Sequence, residues 1–116
     1  MGPRVVVVGP CAAGKSTLAA GLRELGFDAR VCGQEHSEIS TLWLRQQPDV
    51  VVALDVDLET IRARRQEAAW PRWLYETQRR RLRHANEAAA LRIDTALLGQ
   101  DEVLAAVSGF LAERDA

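Results

Sequence analysis

Lysine is almost absent from this chain. Of fifteen basic residues fourteen are arginine, and Lys15 stands alone. Cysteine is also scarce: Cys11 and Cys32 form no metal-ligand or redox spacing, so a cysteine-held metal or a dithiol centre is excluded and two free thiols are expected. No apolar run approaches the length that spans a bilayer, and the first residues lack the charged, apolar and small-residue blocks of a signal peptide. The expectation is a cytoplasmic protein without a membrane partner. Proline and glycine are unremarkable, and an apolar fraction of 47% is too high for a disordered chain. At 116 residues the composition fits one domain, 1–116.

What is present begins with a run of four valines, Val5 to Val8, that reads as a fully buried strand. It runs directly into Gly9-Pro10-Cys11-Ala12-Ala13-Gly14-Lys15-Ser16-Thr17, which has the spacing G-x-x-x-x-G-K-[ST]. Gly9 and Gly14 permit backbone conformations that a Cβ would obstruct, so successive amides can turn inward around phosphate oxygens. Lys15 adds a mobile positive charge for the β and γ phosphates, and Ser16 a hydroxyl for Mg2+. Thr17 opens a helix whose free N–H groups and positive dipole end favour an anion. A chain that otherwise uses arginine keeps its one compact ammonium where such a cradle calls for it.

Further along, Thr17 to Leu25 has leucines at helical spacing and is stopped by Gly26. Phe27 to Cys32 reads as a second strand, followed by the polar cluster Gly33-Gln34-Glu35-His36-Ser37 and a short helix through Leu42, Trp43 and Leu44. Val50 to Leu54 is a third buried strand closing on Asp55. Asp57 is placed to cap a helix from Leu58 to about Ala68. Trp70-Pro71 interrupts it, a long helix runs from about Leu74 to Ala90, Leu91 to Thr95 forms a fourth strand, and Asp101 to Ala112 a closing amphipathic helix. Alternation of strand and helix predicts an α/β fold: three layers, with a short, mostly parallel sheet of about four strands between helices. Ligands of such sheets sit beyond the carboxyl ends of the strands, where the glycine-rich turn, Gln34-Glu35-His36, Asp55 and Thr95 would converge.

The stretch Pro48 to Glu59, continuing to Arg62, Arg64 and Arg65, resembles the strand and arginine-ended helix that precede the lid of thymidylate kinases. Together with the glycine-rich turn and the ending Leu91-Arg92-Ile93-Asp94-Thr95, it makes the chain similar to the small P-loop kinases, the group of thymidylate, adenylate and shikimate kinases. The likeness covers nearly the whole chain, with one gap. A helix and a strand ending in an Asp-Arg pair have no counterpart here, so much of the wall that holds an acceptor nucleotide is missing.

The resemblance implies a three-layer P-loop fold, a nucleoside triphosphate (ATP) with Mg2+, and a small-molecule acceptor such as a nucleoside or nucleotide. Gly9 to Thr17 would hold the phosphates with Lys15 active in transfer. Glu35 falls where such kinases carry a carboxylate that contacts substrate or acts as base. Asp55 resembles a carboxylate that binds Mg2+ through water, beside Ser16. A lid-like segment at about 66–80 would swing Arg64, Arg65 and Arg72 onto the transferring phosphate. His36, Gln34 and Ser37 are supporting candidates, and Thr95 to Gly99 lies where related kinases wrap the adenine. Trp70 and Trp73 would hinge the lid or stack a base, or, as the plainer reading, pack the core or the lid.

Net charge is −1 overall, yet residues 58–92 carry +5. Arginines concentrated around the lid-like segment explain this block, and for Arg79, Arg80 and Arg83, on the polar side of the long helix, a solvated face is an equally good account. Two other readings stay open: a nucleotide-binding switch or accessory ATPase without an acceptor, and, ranked last, a nucleic-acid-end kinase. A homodimer is compatible with the chain.

Overall fold

The computed structural model describes residues 2–115. Its element order is β1 (Arg4–Val8), α1 (Lys15–Glu24), β2 (Asp28–Val31), β3 (Val50–Asp55), α2 (Leu58–Arg65), α3 (Arg72–Ala88), β4 (Leu91–Asp94) and α4 (Gln100–Asp115), with short 3-10 turns at Gln34–His36 and Leu42–Gln46. The four strands form one sheet in the order β2-β1-β3-β4, and every pairing is parallel. The α/β expectation with alternating strands and helices therefore holds.

Alternation along the valine runs assigns each sheet face. Val5, Val7, Val50, Val52 and Leu54 point to one side, where they meet Leu18 and Leu22 of α1, Ile61 of α2, and Val103, Val107 and Leu111 of α4. Val6, Val8, Val51 and Ala53 point to the other and meet Leu82 and Ala85 of α3 with Cys32 and Trp43. Strands buried on both faces are necessarily near-continuous in apolar residues, which is why β1 and β3 are readable as valine runs. The edge strands β2 and β4 alternate instead.

Helix boundaries follow local chemistry. Asp57 caps α2 by accepting from the Thr60 amide at 3.2 Å, and that hydrogen bond holds its carboxyl below the usual range. α2 stops at Arg65, earlier than Ala68, because Gln66 adopts a left-handed conformation (φ 57°). The Glu67 amide then donates back to Arg62 O at 3.0 Å and the Gln66 amide to Ala63 O at 3.2 Å, closing the end in a Schellman arrangement. A six-residue linker, 66–71, leads to α3, which begins at Arg72 just after Pro71.

The chain leaves β1 toward β2 on one side, then returns past β1 to build β3 and β4 on the other. The carboxyl ends of β1 and β3 therefore flank the point where the winding reverses, the place where open parallel sheets present a crevice. The turn Gly9–Gly14 and the Asp55–Asp57 corner stand there. No helix of the described residues is long and apolar enough to cross a membrane.

Candidate functional site

Gly9 follows β1 so tightly that a Cβ on it would lie 2.9 Å from Leu54 O and 3.2 Å from Leu54 Cβ. Only glycine lets the turn leave the strand at that distance. Gly14, at φ 96°, is the left-handed residue that caps α1 without offering a side chain. Ala12 is also left-handed, at φ 61°, a conformation disfavoured by its Cβ. The result is a turn in which, among the described residues, one amide closes on the turn's own backbone, that of Ala13 donating to Pro10 O at 3.3 Å. Among the described residues, the amides of Gly14, Lys15, Ser16 and Thr17 have no hydrogen-bond acceptor within the protein. Four consecutive open donors at the positive end of a ten-residue helix form a concavity suited to an anion.

Lys15 folds over this turn. Its ammonium donates to Gly9 O at 2.8 Å and Pro10 O at 3.0 Å, and it pairs with Glu35 Oε2 at 2.6 Å. Three partners satisfy its three hydrogens. Glu35 is buried and Lys15 largely so, with side-chain exposures of 5% and 10%. Glu35 Oε1 is buried without a partner among the described residues, and exposed His36 places Nε2 3.7 Å from Oε2. A buried carboxylate oxygen with no donor is rare enough to mark a site where chemistry or a ligand is expected.

Arg64 and Thr95 brace the turn from one side. Arg64 donates through Nη1 to Ala12 O at 2.8 Å and Thr95 Oγ1 at 3.2 Å, and through Nη2 to Thr95 O at 2.6 Å. The buried Thr95 hydroxyl reaches Ala13 O at 3.1 Å and Asp55 O at 3.3 Å. Between the turn and the loop after β4 lies a cavity of about 510 Å3, walled by Leu18, Leu98 and Val103 and edged by Thr17, Arg64 and Gln100. Its apolar walls and few polar edges suit a flat organic group adjoining the anion concavity.

From the opposite side α3 contributes Gln78, which is 1% exposed. Its Oε1 accepts from the Cys11 amide at 3.0 Å and its Nε2 donates to Cys11 Sγ at 3.1 Å. Arg81 donates to Glu35 O at 3.2 Å and, with Arg80, grips Glu38 at 2.8 and 2.9 Å. These guanidiniums pull the Glu38 carboxyl down to about 2. Arg80, expected on a solvated helix face, and Arg81 thus fasten the Glu35 loop.

Of the residues predicted from sequence, Gly9 to Thr17, Lys15, Glu35 and Arg64 come together. Asp55 ends β3 exposed, with Oδ1 accepting from the Val56 amide at 2.9 Å. Arg65 turns toward Glu67 at 2.9 Å and over the ring of buried Trp70, and Arg72 is exposed at the start of α3; no hydrogen bond joins either to the turn. Gln34 is fully consumed in holding its loop, donating to Ile39 O at 2.7 Å and accepting from the Trp43 amide at 3.0 Å. Ser37 caps the same loop through the Ile39 amide at 3.0 Å. Both are scaffold, and Trp73 is exposed. Sequence reasoning missed Gln78, whose one signal was a polar residue on the inward stripe Tyr75, Leu82 and Ala85.

A scan against protein-family models and a search of the curated proteins returned no match to the chain.

Proposed function

We propose that the chain is an ATP-dependent phosphotransferase of the P-loop kinase type, acting on a small hydroxyl-bearing acceptor, in the cytoplasm where ATP is supplied. One observation carries this reading: four open amides and a lone buried ammonium sit between an apolar cavity and a buried carboxylate. A sheet covered on both faces is in keeping with the three-layer P-loop arrangement. The triphosphate tail would lie along Gly14 to Thr17 with the base in the cavity. Lys15 would exchange Glu35 for phosphate oxygens, a swap that needs only a rotation of its flexible stem.

Released from Lys15, Glu35 is placed to accept the acceptor's proton. The acceptor oxygen bonds to the γ-phosphorus, the bond to the β–γ bridging oxygen breaks, and ADP leaves. Ser16 and Asp55, whose Oδ1 is engaged by the Val56 amide, would supply a hydroxyl and a carboxylate to a hard cation that also takes ligands from phosphates. Mg2+ bound there would neutralise charge on the phosphates. Arg64, held by Ala12 and Thr95, fixes the shape of the turn.

A switch or accessory ATPase is the second reading, favoured by the complete internal saturation of Lys15. An assay for ADP and phosphorylated product across nucleosides, nucleotides and small hydroxylated metabolites separates the two. Transfer to at least one acceptor, abolished in Lys15→Ala, is expected. Slow hydrolysis alone across the panel refutes transfer and leaves the switch.

A further inference from the structure

Gln78 is a costly residue where it stands. It occupies the core stripe of α3, between Tyr75 and Leu82, and burial of an unpaired primary amide is unfavourable. Both ends of the amide are instead spent on one residue 67 positions away, Cys11. The Cys11 amide therefore points toward α3 and away from the concavity, while the amides from Gly14 onward stay open. A turn with two left-handed residues, Ala12 and Gly14, has few internal bonds to keep this division. Only Ala13, donating to Pro10 O at 3.3 Å, closes on the turn's own backbone.

We infer that Gln78 is a positioning residue for the phosphate-binding turn: by capturing the Cys11 amide and thiol it sets which amides face an anion. The inference rests on the nucleotide-binding reading above. It also gives α3 a direct hold on the turn opposite to the one made by Arg64, so the linker 66–71 between α2 and α3 is bracketed by two contacts to the same loop. A change in that linker would be transmitted to the turn through both.

The test compares Gln78→Met, which fills similar volume without either hydrogen bond, with Leu82→Ala, which loosens the same helix at an equally buried position in the core cluster that does not include Cys11, Ala12 or Ala13. Mg·ATP affinity is measured by calorimetry at a temperature where both variants are folded by circular dichroism. Gln78→Met is expected to weaken binding about tenfold or more, the size expected for a buried donor left without its partner. Leu82→Ala should stay within about twofold, because its side chain belongs to the Val6, Val8 and Trp43 cluster and offers the turn no hydrogen bond. Equal affinity of Gln78→Met and the parent protein, or an equal loss in Leu82→Ala, overturns the inference.

Hydrogen exchange at the Cys11 amide gives a reading that needs no nucleotide. Its protection should fall in Gln78→Met, and unchanged protection also overturns the inference. Failure of the parent protein to bind Mg·ATP overturns the nucleotide reading instead, and with it the role assigned to Gln78.

Discussion

Removing Lys15 should strand a negative charge. In Lys15→Met, Glu35 loses its 2.6 Å partner; its Oε1 already has none, and the remaining neighbour is exposed His36 at 3.7 Å. Breaking a buried pair from one side costs about 3–5 kcal/mol, because the surviving charge is left uncompensated. That is a large part of the roughly 5–15 kcal/mol that stabilises a domain of this size. Glu35→Gln should cost less, about 1–2 kcal/mol, since the ammonium keeps Gly9 O and Pro10 O at 2.8 and 3.0 Å. The double variant Lys15→Met, Glu35→Gln removes both charges and should be more stable than Lys15→Met alone. Urea unfolding followed by circular dichroism, without nucleotide, gives all four corners of the cycle. A coupling below about 0.5 kcal/mol would show that the two groups do not act as a buried pair.

Other outcomes follow from the same contacts. Glu38 is held down to about 2 from 4.5, so its contribution is fully present above 4.5 and is lost as pH falls toward 2. Glu38→Gln should flatten the acid side of a thermal-unfolding profile in that window, and about 0.5 M salt should shrink the difference because the ion pair is exposed. Gly9→Ala should cost about 1–3 kcal/mol in urea unfolding, since its Cβ would meet Leu54 O at 2.9 Å. Ala12→Gly should be neutral or stabilising at φ 61°, and Ala12→Val clearly destabilising by the same measurement. Arg64→Ala should raise KM for the nucleotide more than it lowers kcat, because Arg64 shapes the turn through Ala12 O; an effect on kcat alone would contradict that role.

Much of the fold is written in local patterns. Val5 to Val8 and Val50 to Leu54 are legible because strands buried on both faces must be apolar throughout, and Asp57 because a cap is a three-residue event. The glycine-rich turn is equally local, since Gly9 and Gly14 mark positions where the backbone itself is constrained. What escapes the sequence depends on tertiary approach. Gln78 bonds to Cys11 across 67 positions, and Arg64, itself expected at the site, takes hold of Ala12 across 52; neither distance leaves a periodic trace. Gln34 and Glu35 are adjacent polar residues in one short turn, yet one holds the loop and the other faces Lys15. The end of α2 at Arg65, short of Ala68, is hidden for a related reason: Gln66 takes a left-handed conformation that a glycine would advertise.

The most direct test is a calorimetric titration of the purified protein with ATP in the presence of Mg2+, repeated for Lys15→Ala. Saturable one-to-one binding, with Kd on the order of micromolar and lost in Lys15→Ala, is the expected result. No binding of ATP or any other nucleoside triphosphate up to about millimolar concentration, or undiminished binding by Lys15→Ala, would contradict the role assigned to the Gly9–Thr17 turn.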